Sequence, residues 1–453
     1  MTQSTYHGPM HRGRLLLLPL AVLALVFGVS WVSRDAMRDI PLASEGHGFE
    51  WAVVEGELVG RIAVIPTGTT PTFLPGSRVL APPSDASVEV QQASEDAAQR
   101  QRDWLASAAV PGAEQSAAIA AMGEAAMLDH YIATHPPDGD PRPPQAAPTG
   151  AWRFIWPRDA AFVAAALART GHTQDAVVVL EFLAEVQPED GLFEARYRAN
   201  GEIPDDRGTQ LDGAAWALWS AQVVVENASE AERPSVLHRL DALIETSGTA
   251  LMAATEAQSG LPTASMDYWE LPETSLTLGT AAPVVAGLEA LSSLRAAAGD
   301  AVGEGLALDR STKVRLAVID DFAPTWTRYA GHGGTDSAVS FALPPFQTTA
   351  LPGALSAWRL SAPSMIRAGG GLSPGSDWSE PHYSWTPSTA LTALSAAHAG
   401  DDRTSLYWLE WLAEHRTLAG SLPEKVSPTG EPAQVAPLAW TSSLVVLTLV
   451  ELD

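Results

Sequence analysis

From Pro83 almost to the C-terminus, apolar residues recur at three- and four-residue intervals, the spacing of helices that bury one face. With their breakers these patterns predict helices over about 85–109, 113–133, 158–170, 173–186, 208–225, 234–258, 280–298, 311–329, 348–366, 386–399, 402–415 and 437–452. The connections between them alternate. Short turns such as 169–173 are followed by long Gly-, Pro- and Trp-rich stretches at 135–155, 259–278 and 368–385. That alternation suits helical hairpins set in a closed ring, with the long loops gathered at one end, where loops commonly build sites. No strict 20–50-residue repeat marks a solenoid. The expected fold is therefore all-α over 85–453.

Ahead of the helices, the stretch from Phe49 to about Leu80 alternates apolar and polar residues between Gly, Pro and Thr (FEWAVVEGELVGRIAVIPTGTT), which predicts strands and turns. It is too short for a sandwich domain, so 45–84 is expected to be a small β appendage. The remaining pattern lies in 1–44, where His11, Arg12 and Arg14 precede an uncharged apolar run from Leu15 to Val32. Such a run reads as an export signal, and about 18 residues suffice to span a bilayer. An uncleaved signal-anchor with a cytoplasmic stub is favoured over a removed signal. Either one puts the body outside the cytoplasm, membrane-held or secreted.

Composition narrows the chemistry. The chain has 453 residues, 53 acidic against 27 basic side chains and a formal net charge of -26, which repels nucleic acid and anionic lipid and favours a neutral substrate. It has no cysteine, so disulfides, thiolate metal sites and thiol nucleophiles are excluded. Its 15 tryptophans either fill core or offer flat apolar faces to sugar rings. The 11 His are scattered, and H-E-x-x-H, P-loop, dinucleotide and G-x-S-x-G signatures are absent. No cofactor is expected, although carboxylate-bound calcium stays open, as does the oligomeric state.

Four segments concentrate acids, aromatics and glycine. Trp152-Arg-Phe-Ile-Trp-Pro-Arg-Asp159 opens a helix: Pro157 suits a first turn, and Asp159 suits the positive end of the helix dipole. Arg158 and Asp159 are either a structural pair or a hydrogen-bonding pair for sugar hydroxyls walled by Trp152 or Trp156. In Arg207-Gly-Thr-Gln-Leu-Asp-Gly213, Gln210 and Asp212 stand at another helix entrance, where capping would also account for them. In Asp267-Tyr-Trp-Glu-Leu-Pro-Glu273, Glu270 beside Trp269 reads as a carboxyl in an apolar setting, suited to a general acid, or as an ordinary exposed loop acid. Glu424, in Leu422-Pro-Glu-Lys-Val426, reads as a base or a surface acid. Two carboxyls are what glycosidic hydrolysis needs, one to protonate the leaving oxygen and one to deprotonate water.

In this order, WPRDAA, QLDG, DYWE, DSAVSFALPPF, SWTPSTALTAL and LPEKVSPTGEPAQVAPLAW resemble glycoside hydrolase family 15, the glucoamylases, glucodextranases and trehalase-like relatives, over about 109–453. The resemblance implies an (α/α)6 barrel and an exo-acting, inverting α-glucoside hydrolase. It implies that Arg158 and Asp159 hold the terminal glucose, Glu270 is the general acid, Glu424 the general base, and Trp440 lies near the base. Trp385, in the SWTPSTALTAL stretch, joins the expected substrate-binding set. The sequence departs from the pattern at Leu271, where many glucoamylases carry a second Glu, at Lys425, where Gln or Met is more usual, and in its reduced β segment. Two other functions stay in view: a membrane-anchored, catalytically silent glycan-binding relative, and an envelope scaffold that would leave the Trp-rich loops unexplained.

Overall fold

The computed structural model describes residues 39–137 and 141–453. The run Leu15–Val32 lies outside the described residues, and with it the expected anchor. Among the described residues no helix is long and apolar enough to cross a membrane.

Among the described residues twelve α-helices stand about where the periodicity puts them: α1 (Val88–Ala106), α2 (Ala117–Thr134), α3 (Pro157–Arg169), α4 (Thr173–Val186), α5 (Leu211–Asn227), α6 (Arg233–Ala254), α7 (Leu278–Ala297), α8 (Ala301–Phe322), α9 (Ala354–Met365), α10 (Thr386–His398), α11 (Asp402–Glu414) and α12 (Ala439–Leu452). The largest boundary difference is α8, which begins about ten residues before the expected 311. Gly303 and Gly305 dilute the helical signal there, but Asp300 caps the helix by accepting from the Gly303 amide. Beyond Phe322 the helix stops at Ala323-Pro324, since proline disfavours helical backbone in the residue before it.

The contacts close a ring. Helix α3 packs on α5, α5 on α7, α7 on a 3-10 turn at Ser337–Ala342, that turn on α10, α10 on α12, and α12 on α3. Outside them lie α4, α6, α8, α9, α11 and α2, each against its inner partner. The result is an all-α barrel of paired helices. Residue chemistry explains which helix goes where. Beyond the Arg158–Asp159 pair in its first turn, α3 is, like α12 (AWTSSLVVLTLVEL), apolar or small until its last turn, and both are buried almost throughout, as a helix walled all round must be. By contrast, α8 buries only Ala307, Ser311, Val314, Val318 and Phe322, a single stripe at helical spacing.

The segment expected to be β forms a hairpin of β1 (Gly46–Val54) and β2 (Glu57–Ile65), registered Gly46↔Ile65 to Val54↔Glu57. Its two-residue turn, Glu55-Gly56, has φ of 53° and 87°, the doubly left-handed geometry that matches strand twist. Phe49 anchors the hairpin in a small core with Val79, Ala97, Ala98 and Ile132. A second sheet, β3 (Ser384–Trp385), β4 (Lys425–Val426) and β5 (Pro432–Ala433), ties the entrance of α10 to the loop before α12.

Close approach of the inner helices depends on small residues. At Gly287 of α7, an added Cβ would sit 2.7 Å from Leu251 Cδ1 and 2.8 Å from the Ala215 Cα of α5. Because one neighbour is backbone, it cannot swing aside. Gly287→Ala is expected to destabilise the fold by about 1–3 kcal/mol despite its gain in helix propensity, as measured by denaturant unfolding.

Candidate active site

The first turns of three inner helices, α3, α10 and α12, meet at one cavity of about 190 Å³. Its lining comes from the start of α3 (Trp156, Arg158, Asp159), the start of α10 (Trp385, Pro387), the start of α12 (Leu438, Trp440), the loop before α7 (Tyr268, Trp269, Glu270) and Glu424 beside β4. Trp152, Arg196, Arg207 and Trp378 complete the wall. Nine sequence-selected residues therefore meet in one place: Glu270, Glu424, Trp152, Trp156, Arg158, Asp159, Trp269, Trp385 and Trp440. Gln210 and Asp212 do not line it. Both are buried and away from the lining, where sugar contact was expected of them, and Asp212 is an ion-pair partner 3.6 Å from Arg158 Nη1.

Arg158 lies between carboxylates, 3.5 Å from Asp159, 3.6 Å from Asp212 and 3.9 Å from Glu270, with its guanidinium 5.0 Å above the Trp440 ring. Burial works against its charge, but the surrounding carboxylates reverse that and raise its pKa. Asp159 is pushed up to about 6 by burial, with Arg158 opposing and Glu270 adding to the rise. Arg158 Nε and Nη1 and Asp159 Oδ2 find no hydrogen-bond partner in the protein. The same is true of the indole N–H groups of Trp269, Trp378, Trp385 and Trp440 and of Glu424 Oε2. Buried polar atoms are normally satisfied. Several of these unpaired donors and acceptors therefore belong to residues that line one cavity.

The two candidate catalytic carboxyls differ sharply. Glu424 is 6% exposed and pushed up to about 7 by burial; Lys425 and the Trp152 indole oppose the rise, and the charges of Glu380 and Asp159 add to it. Its backbone is clamped on both sides, with its N–H donating to Val435 O (2.8 Å) and its carbonyl accepting from the Thr386 N–H (3.0 Å). Glu270 is not in the apolar setting expected from Trp269. Its carboxylate accepts from Trp156 Nε1 (2.5 Å) and from Arg207 Nη1, and it sits at a left-handed φ of 55°. Strained backbone of this kind persists only where the surroundings enforce it.

What enforces it is a cluster that the sequence reading missed. Arg328, in the loop after α8, meets Asp267 (3.1 Å), Glu273 (2.6 Å) and Asp336 (2.9 Å), and lies 3.7 Å over the Trp269 ring. Asp267 also accepts from the Trp269 N–H (2.9 Å) and from the Thr277 hydroxyl (2.7 Å) at the cap of α7. Tyr268 is fixed by Asp336, Ser337 and Pro374 O. The loop bearing Glu270 is thus bolted to the barrel on both sides of the acid. Glu273 is occupied by Arg328 and Tyr329 and does not stand in for the second glutamate, while Leu271 is 43% exposed. Among the described residues no group of three or more His, Asp or Glu side chains gathers as a cation site would.

Comparison with solved structures finds this fold elsewhere. A wild-type glycosidase aligns with TM-score 0.63 at 23% identity over 75% of this chain and 98% of that one. The glucoamylase of Saccharomycopsis fibuligera aligns with TM-score 0.58 at 13% identity over 73% and 94%. A bacterial glucoamylase complexed with acarbose aligns with TM-score 0.61 at 14% identity over 80% of this chain and 61% of its own. At these identities the likeness is one of fold. No family model matches the sequence, and no curated protein matches it.

The buried state of Glu424 has a consequence for stability. Its folded pKa of about 7 lies above the ordinary 4.5, so its contribution is fully present below pH 4.5 and is lost as pH rises through 7. The loss amounts to about 3 kcal/mol. Glu424→Gln is expected to match the wild type in unfolding free energy near pH 4 and to exceed it above pH 8, as read by urea unfolding at each pH.

Proposed function

We propose that this chain is an inverting, exo-acting α-glucoside hydrolase that releases glucose from the end of an α-glucan or α-glucosyl oligosaccharide. The observation that supports it best is the pair of carboxyls, Glu270 and Glu424, on one Trp-lined cavity whose floor carries the unpaired polar atoms of Arg158 and Asp159. Arg158 donates to hydroxyls of the terminal glucose and Asp159 accepts from them, while Trp440, Trp156 and Trp152 pack against its ring. Glu270, oriented by Trp156, gives its proton to the glycosidic oxygen as the bond to the anomeric carbon breaks. Glu424 takes a proton from a water that attacks the opposite face, and inversion follows. The fold shared with a glycosidase and with glucoamylases agrees with this reading.

The leaving-group side differs from that of many glucoamylases, because Leu271 presents an apolar side chain where a second glutamate is common. This favours a linkage or partner sugar with fewer hydroxyls to bind on that side. The acidic chain is suited to a neutral glycan, and the N-terminal apolar run is proposed to hold the body at the outer face of the membrane.

The test is glucose release from maltose, isomaltose, trehalose and longer α-glucans by the wild type and by Glu270→Gln and Glu424→Gln. Each variant should lose several orders of magnitude in turnover while sugar binding, followed by tryptophan fluorescence, is largely kept, since each carboxyl acts on the transition state. The acid limb of kcat/KM should rise with pH through about 7 as Glu424 loses its proton. Sugar binding with no release from any substrate would favour the silent glycan-binding relative instead.

A further inference from the structure

The catalytic-base loop is held on its outer side by a short stretch of chain far away in sequence. Residues 40–45 run along both arms of the loop that carries Glu424. On the rising arm, Glu45 Oε2 accepts from the Leu418 N–H (2.8 Å) and the Glu45 carbonyl accepts from the Thr417 hydroxyl. The other oxygen of that carboxylate, Oε1, accepts from the Gly68 N–H (2.8 Å), so Glu45 joins the loop to the turn after β2. On the returning arm, the Ala43 N–H donates to Gln434 O (2.8 Å), the Gln434 N–H donates to Pro41 O (3.3 Å), and the Ser44 hydroxyl donates to Ala436 O (3.1 Å). The Ile40 N–H donates to the Tyr383 hydroxyl (2.9 Å), just before β3. Packing is close as well, since an added Cβ at Gly46 would stand 2.7 Å from Ser421 Oγ.

Two of these bonds meet on one strained residue. Gln434 has a left-handed φ of 74°, which a non-glycine residue keeps only where its surroundings impose it. The stretch bonds both its N–H and its C=O, and the next carbonyl, Val435 O, is the acceptor for the Glu424 N–H. The path from the N-terminal segment to the base is therefore 41–43, Gln434, Val435, Glu424.

We propose that residues 40–45 are a positioning strap for Glu424, holding the returning arm of its loop through 41–43 and the rising arm through Glu45, so that the N-terminal segment is part of the catalytic apparatus. The catalytic part of this proposal rests on the hydrolase reading above; the mechanical part does not. Neither Glu45 nor the strap lines the sugar cavity, so loss of the strap displaces the base without removing sugar contacts. Glu270, bolted in place by Arg328 on the other side, is not touched.

The test compares the full-length wild type with Glu45→Ala, Glu45→Gln, Thr417→Val and, as a hairpin control, Glu50→Gln, whose side chain pairs outward with Arg61. Amide hydrogen exchange over 417–436 and steady-state kinetics on the best α-glucoside are read side by side. Glu45→Ala should speed exchange in that window and lower kcat roughly tenfold or more with little change in KM. Glu45→Gln keeps one acceptor oxygen and should fall between, and Glu50→Gln should behave as wild type. If Glu45→Ala does not fold, Thr417→Val, which is nearly isosteric, carries the test with a smaller loss of the same kind. Faster exchange with unchanged kcat, or unchanged exchange in a folded Glu45→Ala, would overturn the strap. Faster exchange in a protein whose wild type hydrolyses none of the substrates would uphold the strap mechanically and overturn the hydrolase reading alone.

Discussion

The structure depends on one constraint: a fully buried arginine, Arg158, has to be neutralised at the mouth of a ring of apolar helices. Its guanidinium is shared among Asp159, Asp212 and Glu270 without a close hydrogen bond to any of them. Burying such a group is expensive unless the surrounding carboxyls are fixed in place. Fixing them calls for the Pro157 first turn, the buried entrance of α5, and the strained backbone at Glu270. Arg158 Nε and Nη1 are left without hydrogen-bond partners, and tryptophans make much of the cavity wall. Side chains that fix the fold here thus also line the cavity.

A second cation does comparable work away from the cavity. Arg328 gathers Asp267, Glu273 and Asp336 and supports Trp269 from behind, which fixes the acid-bearing loop. On the Glu424 side the equivalent fixing comes from backbone: the short β3–β4–β5 sheet and residues 40–45 beside it. Burial then raises the Glu424 carboxyl, while Lys425, held by Glu380 at 2.7 and 3.0 Å, limits the rise. The Glu270 side chain is held by its donors, Trp156 and Arg207, and Glu424 by its backbone.

How much of this was legible in the sequence follows from the range of each interaction. Helix positions were, because the apolar period is local and repeats along the chain; α4 matches residue for residue, whereas α8 was shortened by the glycines that weaken its first turns. The inner place taken by a 3-10 turn at Ser337–Ala342 left no period to read. Trp152, Trp156, Arg158, Asp159, Trp269, Glu270 and Glu424 were singled out because acids, aromatics and glycine concentrate in their segments, and Trp385 and Trp440 through the resemblance of the stretches that hold them; all of them line one cavity. Arg207, Arg328 and Trp378 were not, since the contacts that bring them to the Glu270 loop, with Glu270, with Asp267 and Glu273, and with Trp269, reach across tens of residues of sequence. The apolar setting expected for Glu270 failed for the same reason: its neighbour Trp269 is local, but Trp156 and Arg207, which hold it, are not. Gln210 and Asp212 stand at a helix entrance like the others, yet the fold directs them behind the cavity.

The account stands most directly on the stereochemistry of the product. Proton NMR of the first glucose released from the best α-glucoside, recorded before mutarotation, should show the β-anomer, with the α-anomer growing in later. The α-anomer appearing first would mean that Glu270 and Glu424 do not act on opposite faces of the sugar through a water, and would contradict the mechanism.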